Sequence, residues 1–153
     1  YPKLALKGLN KIIPKDLNPE NKERLTNNFD ASITYSRQIG NIYTGSLYLG
    51  LLSLLEQSQD LKAGDKIGFF SYGSGAVSEI FSGRLVEGYK DLLRSDRLDT
   101  FAKRQQLSVA DYEKLFYEEA QLDDTGSTQF ADYQTGAFRL AEISEHQRIY
   151  KGN

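Results

Sequence analysis

The apolar positions of the first half of the chain recur at helical spacing. From Pro2 to Ile13, Leu6, Leu9 and Ile13 fall on one side of a helix that Pro2 suits at its first turn and Pro14 closes. Asp16 to Pro19 is a linker bracketed by prolines. Glu20 to Gln38 carries Leu25, Phe29, Ile33 and Ser36 on one side, which predicts a long amphipathic helix. The longest apolar run follows, Ile42 to Leu55 within GNIYTGSLYLGLLSLLE. It is short of the roughly 20 residues a membrane span needs. Apolar nearly all round, it predicts a core helix covered on both sides. Ser46, Gly50 and Ser53 form a strip of small residues along it, beside Leu47, Leu51, Leu54 and Leu55, so another backbone is expected to approach closely there.

Beyond the DLKAGD turn (60–65) the pattern changes to that of strands. Lys66 to Tyr72 reads as a buried strand and Val77 to Val86 as its hairpin partner, joined through Gly73-Ser74-Gly75. Gly88 to about Gln106 is helical but polar. Ser108-Val109-Ala110-Asp111 has the spacing of a capping box, opening a helix to about Ala120. Residues 121–136 (QLDDTGSTQFADYQTG) are polar and rich in Gly, Ser and Thr, and are expected to form a mobile loop. Residues 137–150 read as one terminal strand, with Phe138 and Leu140 on one parity and Ile143 and Ile149 on the other. No internal repeat occurs. The expected class is α/β, a mixed sheet packed against a buried core helix and outer helices.

Composition narrows the chemistry. A chain of 153 residues builds one domain with a real core. A net charge of −2 argues against a general nucleic-acid binder. The absence of cysteine removes disulfides, thiolate metal ligands and Cys nucleophiles together, and suits a reducing cytoplasm. With a single histidine, no metal site is expected. The chain opens Tyr1-Pro2-Lys3, contains no methionine and has no signal-peptide pattern, so it is expected to be a piece of a longer protein that begins mid-fold.

Three features are candidates for chemistry. Lys3, Lys7 and Lys11 are spaced four apart along one helix face, Lys15 continues the series, and no acid precedes Asp16. The stripe is either the wet side of an amphipathic helix or a set of point charges for ligand phosphates. Asn41, before the core helix, either caps that helix or turns its carboxamide to a ligand carbonyl. Ser74 lies between two glycines that let a ligand come close to the backbone. The stretch lacks the Lys-Ser/Thr ending of a P-loop and the strand-to-helix context of a nucleophile elbow. His146 sits among Glu145, Gln147 and Arg148, as a surface histidine does, and makes a poor catalytic partner. Ser74 therefore reads as a binding residue.

GNIYTGSLYLGLLSLLE followed by AGDKIGFFSYGSGAVSEIFSG closely resembles the second half of bacterial hydroxymethylglutaryl-CoA synthases, and LVEGYKD and SVADYEKLF continue the match. Residues 1–120 match well and the tail loosely. The resemblance implies the C-terminal half of a thiolase-like fold. It implies an acyltransferase that condenses acetyl-CoA with acetoacetyl-CoA, both substrates and neither a cofactor, leading into mevalonate and isoprenoids. The family's cysteine and glutamate come from the first half and its histidine from just before Tyr1, so no catalytic residue is expected in this chain and the fragment alone should be inactive. By the same resemblance Asn41 and Ser74 contact the acyl substrate, and Lys3 and Lys7 bind CoA. Lys11 and Lys15 have no such support. A cytoplasmic homodimer completed by the N-terminal half, with no membrane or nucleic-acid partner, is the implied setting. Two alternatives stay open: a thiolase-fold condensing enzyme acting on carrier-protein substrates, and a non-catalytic acyl-CoA-binding module.

Overall fold

A computed structural model describes residues 2–73, 75–94, 96–117, 120–130 and 136–152. The chain divides into two compact units, Tyr1–Ser95 and Asp96–Asn153.

The first unit is built from three helices and a hairpin. Helix α1 (Pro2–Ile12) ends before Pro14. Its inward side is Leu4, Ala5, Gly8 and Leu9, whereas Leu6 is partly exposed, so the apolar face is rotated from the expected Leu6–Leu9–Ile13 line. The absence of a side chain at Gly8 lets the Phe70 ring lie 3.9 Å from where a Cβ would stand. Helix α2 (Pro19–Ile39) is the long amphipathic helix, started by Pro19 and by Asn18, whose side-chain oxygen accepts from Asn21 N at 2.8 Å.

Helix α3 (Gly45–Gln57) is the apolar run, and its small strip meets the α2 backbone as expected. The place of a Gly50 Cβ is 3.5 Å from the carbonyl oxygen of Ser32. Ser53, fully buried, donates from Oγ to Ala31 O at 2.6 Å and accepts from Tyr35 N at 3.2 Å. Buried Tyr35 donates its hydroxyl to Glu56 and accepts from Gln57 Nε2 at 3.2 Å. Covering is incomplete: α2 lies along α3 and β1 meets it around Leu54, but Tyr48 is 62% exposed. The pattern specified how much of α3 is apolar and left unspecified what lies against it.

Strands β1 (Lys66–Gly73) and β2 (Val77–Arg84) pair antiparallel from Lys66↔Arg84 to Gly73↔Val77. Phe69 and Phe81 stack across them at 4.8 Å. Leu54, Leu61 and Ile67 form the buried core, with Ala31, Leu51, Leu55, Phe69 and Leu85 against it. Ile67 alone is buried in β1, and β2 is exposed throughout, so the hairpin is less buried than its composition suggests. Beyond it Tyr89 donates its hydroxyl to Leu61 O at 2.8 Å from a single 3₁₀ turn, Tyr89–Leu92.

In the second unit the polar stretch expected to be helical contributes only α4 (Arg97–Ala102). Helix α5 (Val109–Tyr117) starts at the expected cap: Ser108 Oγ accepts from Asp111 N at 3.1 Å and donates to its carboxylate at 2.6 Å. Strands β3 (Thr128–Gln129), β4 (Phe138–Ser144) and β5 (Gln147–Gly152) form an antiparallel sheet in that order. The expected single strand over 137–150 is therefore a hairpin, turning at Glu145 (φ 48°) and His146 (φ 66°). A shift in pairing between Leu140 and Glu142 brings Ile143 to the face of Phe138 and Leu140, whereas Ile149, across the turn on β5 and paired with Glu142, takes the other face.

The turn is held from outside by residues 123–127. Asp123 Oδ1 accepts from Thr125 N, Thr125 Oγ1 and Ser127 N at 2.9, 2.7 and 2.9 Å. Glu145 N donates to Ser127 Oγ and His146 N to Gly126 O, each at 3.0 Å. The front of the expected loop is thus a hydrogen-bonded turn, while 131–135 lie outside the described residues.

Candidate functional site

The segment Gly40–Ser46 is a tight turn between two helices. Gly40 (φ 87°) ends α2, and its N–H donates to Ser36 O at 2.9 Å. Tyr43 is also left-handed, at φ 54°, although it is not glycine and its side chain is 87% exposed. That conformation costs a non-glycine residue about 1–2 kcal/mol, so something local must hold it. Asn41 does: its Oδ1 accepts from Tyr43 N at 2.9 Å and from Ser46 Oγ at 3.1 Å. Ser46 Oγ in turn accepts from Ile42 N at 3.0 Å. Gly45 sits close under the Ile42 side chain: a Cβ there would stand 3.1 Å from Ile42 Cδ1, so the Ile42 side chain would have to give by a few tenths of an ångström.

Asn41 is therefore not a simple cap of α3, whose N-cap position is Thr44 with no side-chain bond. Its carboxamide oxygen braces the preceding turn. Its Nδ2 has no partner among the described residues, and Asn41 is exposed.

Ser74 lies outside the described residues, but its flanks are informative. Gly73 ends β1 and Gly75 has φ 86°; no atom comes within 4 Å of a Cβ built at either. Gly75 is needed for its left-handed backbone. Neither glycine is there to make room for packing among the described residues. Lys3, Lys7 and Lys11 are exposed on α1. Lys3 borders a groove of about 290 Å³ with Pro2, Leu6, Phe29, Asp30, Ile33 and Arg37. There Arg37 and Asp30 form an exposed ion pair at 3.9 Å, an arrangement of little energetic weight. Lys7 and Lys11 do not line that groove. No hydrogen bond or ion pair among the described residues joins Asn41 to Lys3 or Lys7.

His146 packs over Gly126, which accounts for it structurally. The hydrogen bond from the Thr125 side chain, with those from the Ser127 and Thr125 backbone, holds the exposed Asp123 carboxyl below its ordinary value of 3.8. Among the described residues no group of three or more His, Cys, Asp or Glu is placed to hold a metal, and no helix is long and apolar enough to cross a membrane. Ser46 is the residue that sequence reasoning passed over, counted only as one member of a small strip.

Known proteins bear on these features directly. The family described as hydroxymethylglutaryl-coenzyme A synthase C terminal matches residues 5–152, and the chain belongs to it. The particular relatives agree. It is 48% identical over 124 residues to the hydroxymethylglutaryl-CoA synthase of Enterococcus faecalis, covering 80% of this chain and 32% of that protein. It is 30% identical over 152 residues to the Saccharomyces cerevisiae enzyme, covering 95% of this chain and 30% of the relative. A crystal structure of an HMG-CoA synthase complexed with CoA superposes with a TM-score of 0.84 at 64% identity, covering 99% of this chain and 39% of that one. The α/β class and the thiolase-like fold of the C-terminal half follow from these neighbours. The chain spans about a third of the length of the curated relatives it matches.

Proposed function

We propose that this chain is the substrate-binding C-terminal part of a hydroxymethylglutaryl-CoA synthase, which condenses acetyl-CoA with acetoacetyl-CoA to HMG-CoA. The observation that carries the reading is the 64% identity, over 99% of the chain, to a synthase structure holding CoA. In this reading the cysteine nucleophile, the glutamate acid/base and the histidine belong to the remainder of the enzyme, which supplies covalent catalysis. This chain contributes contacts. The Asn41 amide and the Ser74 hydroxyl face the acyl group, and the open glycines around Ser74 let the loop lie along the thioester. Lys3 and Lys7 hold CoA phosphates as mobile point charges. The working enzyme is a cytoplasmic homodimer in the mevalonate pathway.

A carrier-protein substrate is the second reading. It is favoured by the likeness to a curacin-pathway HMG synthase in complex with an acetyl donor-ACP, at 30% identity and a TM-score of 0.63. The much higher identity to the CoA complex weighs for CoA.

The test uses radiolabelled acetyl donors. Full-length enzyme carrying this sequence should retain label from acetyl-CoA after denaturation, and the 153-residue chain should retain none. Stable labelling of the short chain would overturn the division of labour. Labelling of the full enzyme from acetyl-ACP in preference to acetyl-CoA would favour the second reading.

A further inference from the structure

We propose that Ser46 is a positioning residue for Asn41, fixing the carboxamide so that its amide nitrogen, and not its oxygen, faces the acyl group. The inference rests on the reading of Asn41 as an acyl contact, and adds which atom makes the contact and what holds it there.

The assignment follows from donor and acceptor chemistry. A backbone N–H can only donate, so the side-chain atom of Asn41 that lies 2.9 Å from Tyr43 N must be the oxygen. The Ser46 hydroxyl is constrained as well. It accepts from Ile42 N at 3.0 Å, which leaves its proton for the Asn41 oxygen at 3.1 Å. Both acceptor directions of the carboxamide are then occupied from within the turn. Among the described residues the NH₂ group has no partner, and the side chain is exposed. Such a group is a donor only, and its complement is an acceptor oxygen: a thioester carbonyl, or the oxygen on which charge gathers as the acyl carbon reacts. The left-handed Tyr43 is a separate sign that this turn is held in place at a cost. Rigid support of this kind is what a contact needs if it is to act without reorganising.

The role makes Ser46 act through Asn41 and not on the ligand, which a double-mutant cycle resolves in the full-length synthase. Asn41→Ala removes the donor and should lower kcat by about 100-fold, the usual effect of losing one oxyanion donor. Asn41→Asp can keep both contacts to the turn but has no N–H, and should be as impaired as Asn41→Ala. Ser46→Ala loses one support of the oxygen and should lower kcat about 5- to 10-fold, with KM for the acyl-CoA little changed. Ser46→Thr keeps a hydroxyl and should recover activity to within about twofold of the parent. In the Asn41→Ala background, Ser46→Ala should have no further effect. If its 5- to 10-fold loss persists there, Ser46 works independently of Asn41 and the proposal fails. An active Asn41→Asp enzyme would overturn the donor assignment. A Ser46→Ala loss matched by loss of folded protein, or undiminished kcat, would likewise overturn the positioning role. If Asn41→Ala leaves condensation intact, the acyl-contact reading itself falls and takes this inference with it.

Discussion

Ser53 joins the two longest helices of the first unit, and its replacement reads that joint directly. The hydroxyl sits between Ala31 O (2.6 Å) and Tyr35 N (3.2 Å), groups one helical hydrogen-bond step apart on α2. Ser53→Ala removes both bonds in a site with no access to water. Two buried hydrogen bonds contribute about 1 kcal/mol each, but the two α2 groups remain close enough to serve one another as i and i−4 partners. The expected loss is therefore about 1–2 kcal/mol, the lower part of the range for leaving buried groups unpaired. Ser53→Val is the informative companion. It places methyl groups where an oxygen stands 2.6 Å from a carbonyl, although carbon contacts favour about 3.5 Å or more. Overpacking should add about 1–3 kcal/mol to the loss. Urea unfolding followed by circular dichroism measures both, as a lower midpoint concentration at an unchanged slope. An unchanged Ser53→Ala midpoint, or a Ser53→Val protein no less stable than Ser53→Ala, would refute the close approach of α3 to the α2 backbone as a source of stability.

Gly126→Ala should destabilise the second unit by about 2 kcal/mol or more. The residue is left-handed at φ 75°, which costs an alanine about 1–2 kcal/mol, and its Cβ would collide with the His146 ring at Nε2. Thermal unfolding of the Gly126→Ala/His146→Ala double variant should recover the clash but not the backbone cost, and failure to recover anything would show that the ring is not what Gly126 accommodates. If Lys3 and Lys7 hold CoA, their replacement by Ala in the full-length synthase should raise KM for acyl-CoA several-fold with little change in kcat, more at low salt than at high salt. Lys11→Ala is the control, and equal, negligible effects at all three would return the stripe to a solvated helix face.

The sequence by itself determined that α1, α2, α3 and α5 exist, but not the polar stretch after Gly88, where only a 3₁₀ turn and α4 form. Pro2 and Pro14 act through their own rings and the backbone donor they lack, and Ser108 bonds a residue three positions away, whereas the Asn18 cap that starts α2 was found only in the structure. Such signals need no distant partner, so α1, α2 and the cap of α5 stand where the sequence puts them. The small strip on α3 was also legible, because Gly50 and Ser53 share a face by helical geometry alone. The family followed from GNIYT and FSYGSG, since order and spacing of motifs are properties of the chain itself.

Tertiary structure decided what depends on residues far apart in the chain. Glu145 and His146 are not the residues expected at a tight hairpin turn, and nothing within 137–150 marks one. The turn forms because Ser127 and Gly126, some eighteen residues earlier, take up its N–H groups, and because a glycine leaves space for the His146 ring. The exposure of β2 and of Tyr48 on α3 is of the same kind: an apolar residue records a preference for burial, not the identity of what covers it. At the candidate site, sequence placed Asn41 beside a helix start and left two roles for it. Only the folded turn, with Tyr43 forced left-handed and Ser46 brought back one helical turn onto Asn41, decides which end of the carboxamide is free. The orientation of a side chain is set by the donors around it, and those exist only once the chain has folded.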